Sequence, residues 1–287
     1  MLLRNWRVNA IKKKNKFRVI KPNIMRRVFY LFIIAPFFIS CSIKRNINNS
    51  LSENQDPLIL SVLWFQKSAE MQALYYQGYN IAKSSLTEKL VKSDNRQPKA
   101  VIMDIDENIL DNSPLEAFQI IENVPYSDSL WLVWVKKACA KPLPGVLDFV
   151  NYTESKGVEI FYVTNRKSPE EYKPTLNNLL KMGFPFADRI HIVLKTDVSS
   201  KEVRRKNISE KYDVLLFIGD NLADFDMVFD KREDDLGFGA VKENMNKFGD
   251  RFILLPNPMY GPWINAALKK AAGKSTREKI INSLKSF

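Results

Sequence analysis

Five short apolar runs, most of them separated by stretches with helical spacing, constrain what this chain can fold into. The runs are rich in aliphatic and β-branched residues and lie at 100–103, 159–163, 190–194, 214–218 and 252–255. Continuous apolar strands that alternate with helices are typical of a parallel sheet covered on both faces. The pattern predicts an α/β fold with a three-layer, Rossmann-like core. Ligands of such sheets bind beyond the carboxyl ends of the strands.

Polar side chains follow four of these runs, at the points where the strands are expected to end. The set comprises Asp104, Asp106, Asn108, Thr164, Asn165, Lys195, Asp220 and Asp224. Two carboxylates about 4 Å apart repel each other by roughly 4 kcal/mol at an effective dielectric of 20, so a cluster of them needs a cation. Oxygen ligands favour a hard ion, with Mg²⁺ as the default.

Carboxylates, a divalent metal and a lysine at one point suit the oxygens of a phosphoryl group. Of two aspartates at positions i and i+2, Asp104 can attack phosphorus and form an aspartyl-phosphate. Asp106 can protonate the leaving oxygen and then activate water. The other residues would hold phosphate or metal: Thr164, Asn165 and Lys195 the phosphate, and Asp220 and Asp224 the metal.

Each element of this set has a simpler explanation when it is taken alone. The motif at 104–108 opens like an EF-hand loop, but Ile109 and Leu115 stand where that loop needs Gly and Glu. Asp220 alone could belong to a turn before a helix, and Lys195 alone could be a solvated loop lysine. Their occurrence in this order at four strand ends favours the catalytic interpretation.

The positive charge of the chain is concentrated at its N-terminus. The whole chain has 44 Lys and Arg against 32 Asp and Glu, but residues 1–40 contain ten basic residues and no acidic one. The remaining residues hold 34 basic against 32 acidic residues, a net charge of only +2. The basicity therefore belongs to a leader, and we expect no nucleic-acid partner.

Residues 28–39 form an apolar run of 12 residues that follows two arginines. A transmembrane helix needs about 20 apolar residues, so this run is instead typical of a secretory signal. The residues FISC at 38–41 resemble a bacterial lipobox, with Phe where Leu is more usual. We expect a lipoprotein signal over 1–41 with Cys41 as the lipidated residue; the alternative is a short anchor helix with an incidental cysteine.

The predicted organisation after the signal is a tether followed by one folded domain. Residues 42–57 are polar and rich in Asn and Ser, which indicates a flexible tether, and residues 58–287 form the domain. Met25 would begin a signal of ordinary length and is the alternative start of the chain. The expected location is the cell envelope, at the outer membrane.

These residues resemble the haloacid dehalogenase (HAD) superfamily, and more narrowly the class C acid phosphatases, the outer-membrane lipoprotein e family of 5′-nucleotidases. The similarity spans about residues 58–268. Four motifs carry most of it: DIDENILDNSP at 104–114, FYVTNRK at 161–167, GDNLADF at 219–225 and LPNPMYGPW at 255–263. The resemblance implies a HAD core with a small helical cap formed by about 58–95 and 112–142.

The resemblance also implies a ligand set. Mg²⁺ would lie on Asp104, the backbone carbonyl of Asp106 and Asp220, with Asp224 in support. Two positions depart from the family pattern, because Asn108 replaces the usual Thr and Leu115 replaces a common Tyr. We expect slowed or retuned chemistry from the first departure and an altered leaving-group preference from the second.

Aromatic side chains contact the nucleobase or nicotinamide in this family. The resemblance implies Tyr260, Trp131 and Trp134 for that role. Each of them could instead pack in a helix core or a lid. Stacking on an aromatic side chain contributes about 1–3 kcal/mol per base and tolerates many bases, which suits a broad nucleotidase.

The sequence therefore predicts a lipid-anchored, Mg²⁺-dependent phosphomonoesterase that acts on nucleoside monophosphates, with nicotinamide mononucleotide as one candidate. Two alternatives stay open. One is the same chemistry on other small phosphomonoesters, such as sugar phosphates; the other is an inactive lipoprotein that binds nucleotides, which only Asn108 supports. Family analogy suggests a homodimer.

Overall fold

The computed structural model describes residues 56–93, 96–232 and 235–287. The predicted signal, Cys41 and most of the predicted tether lie outside these residues. The first helix begins at Asp56, within the segment predicted as tether. Among the described residues, no helix has the length and apolar character needed to cross a bilayer.

A parallel five-stranded sheet lies at the centre of the fold, and all five predicted strands belong to it. The strands of the described chain are β1 (Lys99–Met103), β2 (Leu110–Asp111), β3 (Lys141–Pro142), β4 (Glu159–Lys167), β5 (Ile192–Lys195), β6 (Asp213–Gly219) and β7 (Phe252–Leu254). The sheet has the order β5-β4-β1-β6-β7, while β2 and β3 form a separate antiparallel pair. The α/β fold is thus confirmed.

The described residues form ten α-helices around this sheet. They are α1 (Asp56–Lys67), α2 (Ala69–Lys92), α3 (Ser113–Glu122), α4 (Asp128–Lys137), α5 (Val146–Ser155), α6 (Tyr172–Met182), α7 (Glu202–Ser209), α8 (Phe238–Glu243), α9 (Pro262–Leu268) and α10 (Thr276–Ser283). The helical pattern from 58 to 92 corresponds to two helices, because Ser68 caps α2 by accepting the Met71 N–H at 3.0 Å.

The apolar stripe of α2 packs into the main hydrophobic core. Tyr75, Tyr79 and Leu86 are buried there together with Val101 of β1 and Ile218 of β6. The predicted cap therefore includes one helix, α2, that belongs to the layer covering the sheet. The division of the chain into a core and a separate cap stays a prediction.

Two tyrosines of α2 fix the loop that follows β1. The Tyr75 hydroxyl donates to the carbonyl of Glu107 at 2.5 Å. The Tyr79 hydroxyl lies 2.8 Å from the Asn108 carbonyl and 3.1 Å from its Oδ1. Asn108 is fully buried by this contact. The loop that carries the first two aspartates of the predicted site is therefore held by the helix layer beneath it.

Candidate active site

A cavity of about 540 Å³ lies at the carboxyl edge of the sheet, where the loops after β1, β4 and β6 meet. Eight residues selected from the sequence line it: Asp104, Asp106, Trp131, Asn165, Lys195, Asp220, Asp224 and Tyr260. Glu116, Tyr126 and Asp128 of the α3–α4 region also line it and were not selected. The cavity therefore lies at the edge where ligands of parallel sheets are expected to bind.

Three carboxylates converge at the base of this cavity. One oxygen from each of Asp104, Asp220 and Asp224 lies within 4.8 Å of the other two. The Asp104 N–H donates to the carbonyl of Ile218 at 3.0 Å, which fixes the end of β1 beside the end of β6. A Cβ on Gly219 would lie 2.4 Å from Asp224 Oδ2, so only glycine permits this close approach.

A single 3₁₀ turn, Leu222–Asp224, holds the last of these carboxylates. The Asn221 N–H donates to Asp224 Oδ2 at 3.0 Å, and the Ala223 N–H donates to Asn221 Oδ1 at 3.1 Å. Because the two side chains accept these N–H groups, the start of the turn does not offer them to an anion.

The lysine at the centre of the cluster is Lys201. Its Nζ lies 2.6 Å from Asp104 Oδ1 and 2.7 Å from Asp224 Oδ1, and its side chain is only 6% exposed. Lys201 directly precedes α7, which begins at Glu202 without a side-chain cap. The only signal for Lys201 was a lysine in the loop between a strand end and the next helix.

Lys195 ends β5 and is half-buried in the wall of the same cavity. Among the described residues, the ion pairs to Asp104 and Asp224 come from Lys201 and not from Lys195. The phosphate-binding role assigned to Lys195 stays a prediction, and Lys201 is the stronger candidate for it.

Burial and mutual repulsion control the charges of the cluster. Burial raises the pKa of Asp104 to about 7, opposed by Lys201 and reinforced by Asp224 and Asp106. Burial and the neighbouring Asp224 and Asp104 raise the pKa of Asp220 well above its usual range. Burial lowers the pKa of Lys201, but the two aspartates it contacts outweigh that effect and raise it overall. Three carboxylates facing one ammonium group fit a hard divalent cation.

Asp106 lies in a different environment, surrounded by hydrogen-bond donors. Arg166 donates to Asp106 Oδ1 through Nη2 at 2.8 Å and Nε at 3.0 Å, and Asn112 Nδ2 donates to the same oxygen at 2.9 Å. The Thr164 hydroxyl donates to Oδ2 at 3.2 Å. The Arg166 side chain is 1% exposed and also donates to the Thr175 hydroxyl. Arg166 lies in the 161–167 motif, but nothing in the spacing of that motif distinguishes it as a site residue.

The end of β4 is braced by a second arginine. Arg204 donates to the Thr164 carbonyl at 2.6 Å and to Asn165 Oδ1 at 2.7 Å. The Thr164 hydroxyl in turn accepts the Arg166 N–H at 3.1 Å. Thr164 and Asn165 are therefore fixed beside Asp106, and their contact with phosphate stays a prediction.

Two of the three selected aromatic residues line the cavity. The Trp131 indole N–H donates to Glu171 Oε2 at 3.0 Å, and the Arg166 guanidinium lies 5.5 Å from its ring centroid. Tyr260 lines the cavity beside Gly261, whose φ of 145° lies in the region that favours glycine. These contacts fix Trp131 against the polar groups of the site.

Trp134 has a supporting position instead. It is absent from the cavity lining among the described residues, and its indole N–H donates to Asn112 Oδ1 at 2.7 Å. Asn112 in turn holds Asp106. Trp131 and Tyr260 therefore line the cavity, whereas Trp134 contacts the amide that holds Asp106.

Comparisons with known proteins identify the family of the chain. Residues 44–263 match the family described as HAD superfamily, subfamily IIIB (acid phosphatase). The structure of the class C acid phosphatase from Bacillus anthracis is 41% identical, with 82% of this chain and 99% of that chain covered and a TM-score of 0.75. A crystal structure of class C acid phosphatase from Bacillus anthracis with tungstate bound is 40% identical, with the same coverage and a TM-score of 0.76.

The family match covers most of the chain, and the structural matches extend over nearly all of their own length. The predicted family, the HAD fold and the phosphomonoesterase activity are confirmed. The chain belongs to subfamily IIIB of the HAD superfamily, the class C acid phosphatases, which hydrolyse phosphoric monoesters.

Proposed function

We propose that this phosphatase is a Mg²⁺-dependent 5′-nucleotidase that hydrolyses nucleoside monophosphates, with nicotinamide mononucleotide among its substrates. The observation that carries the proposal is the pairing of two features in one cavity. The acidic cluster of Asp104, Asp220 and Asp224 lies at its base, and Trp131 and Tyr260 line its wall. One end of the cavity suits a phosphoryl group, and the wall suits a planar base.

A bound Mg²⁺ would be held by Asp104 and Asp220, with Asp224 in support, and would neutralise negative charge where the phosphoryl group binds. The Asp104 carboxylate attacks phosphorus, so an Asp104–phosphorus bond forms while the bond to the leaving oxygen breaks. Asp106 gives its proton to that oxygen. Asp106 then takes a proton from water as the water oxygen attacks phosphorus and releases Asp104.

The contacts of each aspartate support these roles. Lys201, 2.6 Å from Asp104, holds the nucleophile and places a positive charge beside the phosphoryl oxygens. Arg166, Asn112 and Thr164 fix both oxygens of Asp106. A relative has been solved with tungstate bound, and tungstate is a tetrahedral oxyanion like phosphate, which further supports an oxyanion site.

A substrate comparison tests the proposal. Residues 42–287 are assayed with AMP, nicotinamide mononucleotide and glucose 6-phosphate, in Mg²⁺ and in EDTA. We expect activity that EDTA removes and Mg²⁺ restores, and a kcat/KM for the two nucleotides at least about tenfold above that for the sugar phosphate. Equal kcat/KM values for all three substrates would mean that the enzyme is a general phosphatase for small phosphomonoesters and not a nucleotidase.

Variants of Trp131 and Tyr260, the two aromatic residues that line the cavity, give this experiment a matched control. Trp131→Ala and Tyr260→Ala should each lower kcat/KM for AMP by about 10- to 100-fold, because each removes a stacking surface. The same variants should change kcat/KM for glucose 6-phosphate by less than about threefold.

We further propose that Cys41 is lipidated and anchors the enzyme in the outer membrane, outside the cytoplasm. The apolar run before Cys41 and the lipobox-like residues at 38–41 support this location. Incorporation of a labelled fatty acid that disappears in Cys41→Ala would agree with it, and labelling that survives this substitution would refute it. The homodimer stays a prediction, which light scattering of the purified enzyme would test.

A further inference from the structure

The last 24 residues of the chain differ in charge from the catalytic body. Residues 264–287, here called the basic tail, contain six basic residues and one acidic residue, a net charge of +5. Residues 41–263 contain 28 basic residues against 31 acidic residues, a net charge of −3. The family match ends at residue 263, so the basic tail lies beyond it.

The charge of the basic tail faces solvent. Five of the six basic residues are exposed, and Lys279 is half-buried; the exposed ones are Lys269, Lys270, Lys274, Arg277 and Lys285. No carboxylate of the described ranges forms an ion pair with Lys270, Lys274, Arg277, Lys279 or Lys285. The single acid, Glu278, accepts the backbone N–H groups of Lys274 and Ser275 at 2.6 and 3.3 Å. The positive charge is therefore available to an external partner.

Large apolar side chains are also exposed in and beside the last two helices, α9 and α10. Trp263 of α9 is 45% exposed, and Ile281 and Leu284, in and just after α10, are 49% and 72% exposed. The Ser283 hydroxyl lies 3.4 Å from the Ala267 carbonyl, which joins α10 to α9. Basic residues combined with exposed Trp and aliphatic residues are typical of segments that lie in a membrane interface.

We propose that the basic tail is a docking surface for an anionic bilayer. Its lysines and arginine would contact lipid phosphates, and Trp263, Ile281 and Leu284 would lie at the headgroup boundary. Charge complementarity selects this occupant, because the acidic body is repelled by an anionic surface while the tail is attracted. The exposed aliphatic residues favour a bilayer over a nucleic acid, which offers them no apolar contact.

This docking is independent of lipidation at Cys41, and the two would act together. Electrostatic attraction of a basic patch to anionic lipids adds to the membrane affinity that a lipid anchor provides. The tail would also set the orientation of the enzyme, because it fixes which face of the catalytic domain lies against the membrane.

Vesicle binding by residues 42–287, which lack the leader, tests the proposal. The solved relatives are covered over 99% of their length by 82% of this chain, so a chain of this extent folds without a further segment. The vesicles contain phosphatidylcholine alone or with about 30% phosphatidylglycerol. We expect binding at least about tenfold tighter to the anionic vesicles, weakened by added NaCl because salt screens exposed charges.

Two variants that remove the same number of positive charges distinguish an effect of the basic tail from an effect of net charge. K270Q/K274Q/K285Q removes three exposed lysines of the tail and should weaken binding to anionic vesicles by about 10- to 100-fold. The control K181Q/K211Q/K242Q removes three exposed lysines of the body and should change binding by less than about threefold. Both should keep the phosphatase activity on a soluble substrate, which reports that they are folded.

A third variant, I281S/L284S, tests the apolar contribution and should weaken vesicle binding without altering its salt dependence. Equal losses in the two lysine variants would overturn the proposal, since net charge and not the tail would then govern binding. So would equal affinity for neutral and anionic vesicles, or binding to single-stranded nucleic acid that is tighter than binding to the vesicles.

Discussion

Asp104 and Asp106 lie two residues apart in one loop, but their surroundings differ. Asp104 is buried among two other carboxylates and one ammonium group, so it carries a negative charge at a cost that a cation relieves. Asp106 accepts hydrogen bonds from an arginine, an amide and a hydroxyl. Two identical side chains thus have different environments, which fit the two roles proposed for them: Asp104 as the nucleophile, and Asp106 as the acid and base beside the leaving group.

The largest expected effect comes from replacing Asp104, the proposed nucleophile. Asp104→Asn should lower kcat for AMP by at least about 10⁴-fold, because an amide cannot form the covalent intermediate. Asp197→Asn, at an exposed position, should change kcat by less than twofold or so. Steady-state phosphate release measures both, and turnover by Asp104→Asn within about tenfold of the parent would exclude Asp104 as nucleophile.

The basic partner of each aspartate provides the next test. Lys201→Met should lower kcat/KM for AMP by about 10²- to 10³-fold, because it removes the buried charge between Asp104 and Asp224. Lys195→Met should cost less than about tenfold, since Lys195 only lines the cavity wall. The opposite order of the two losses would return the phosphate-binding role to Lys195.

Arg166→Lys tests whether geometry or charge matters on the Asp106 side. Lysine keeps the positive charge but cannot reproduce the two N–H groups that hold Asp106 Oδ1, so kcat should fall by about 10- to 100-fold. Arg251→Lys, at an exposed arginine before β7, should have no measurable effect on kcat. Full activity of Arg166→Lys would mean that charge alone is sufficient.

The carboxyl group of Glu116, which also lines the cavity, shows the effect of burial on a pKa without a charged partner. Glu116 is 8% exposed, and burial raises its pKa to about 7, opposed only by Gln119. Between its unfolded pKa of about 4.5 and its folded pKa of about 7, the unfolded chain ionises while the folded protein keeps the proton. Stability is therefore lost as pH rises through this window, by about 3 kcal/mol in total.

Glu116→Gln should remove that part of the pH dependence and leave the protein more stable than the parent at pH 8. Urea unfolding in EDTA at pH 5 and pH 8 measures it, with Glu122→Gln, an exposed residue of the same helix, as the control. An identical pH dependence in the parent and Glu116→Gln would show that the folded protein does not hold Glu116 in its neutral form.

The sequence was sufficient for the sheet and for the residues that end its strands. Apolar runs are read directly from the chain, and parallel topology then brings Asp104, Asp106 and Asp220 to one edge. Lys201 and Arg166 were missed for a physical reason. Their positions depend on loop geometry and side-chain direction, which hydrophobic spacing does not encode. Lys201, for example, directly precedes α7, but its contacts with Asp104 and Asp224 are long-range.

The most direct test of the comparison is a rapid-mixing measurement on Asp106→Asn with p-nitrophenyl phosphate and Mg²⁺. Nitrophenolate leaves without a proton, so attack by Asp104 should still proceed, while hydrolysis of the aspartyl-phosphate lacks its base. We predict a burst of about one equivalent of nitrophenolate per enzyme, followed by turnover about 10²- to 10⁴-fold below the parent. Asp104→Asn should give no burst. No burst from folded Asp106→Asn, or a burst from Asp104→Asn, would contradict the assignment of the two aspartates.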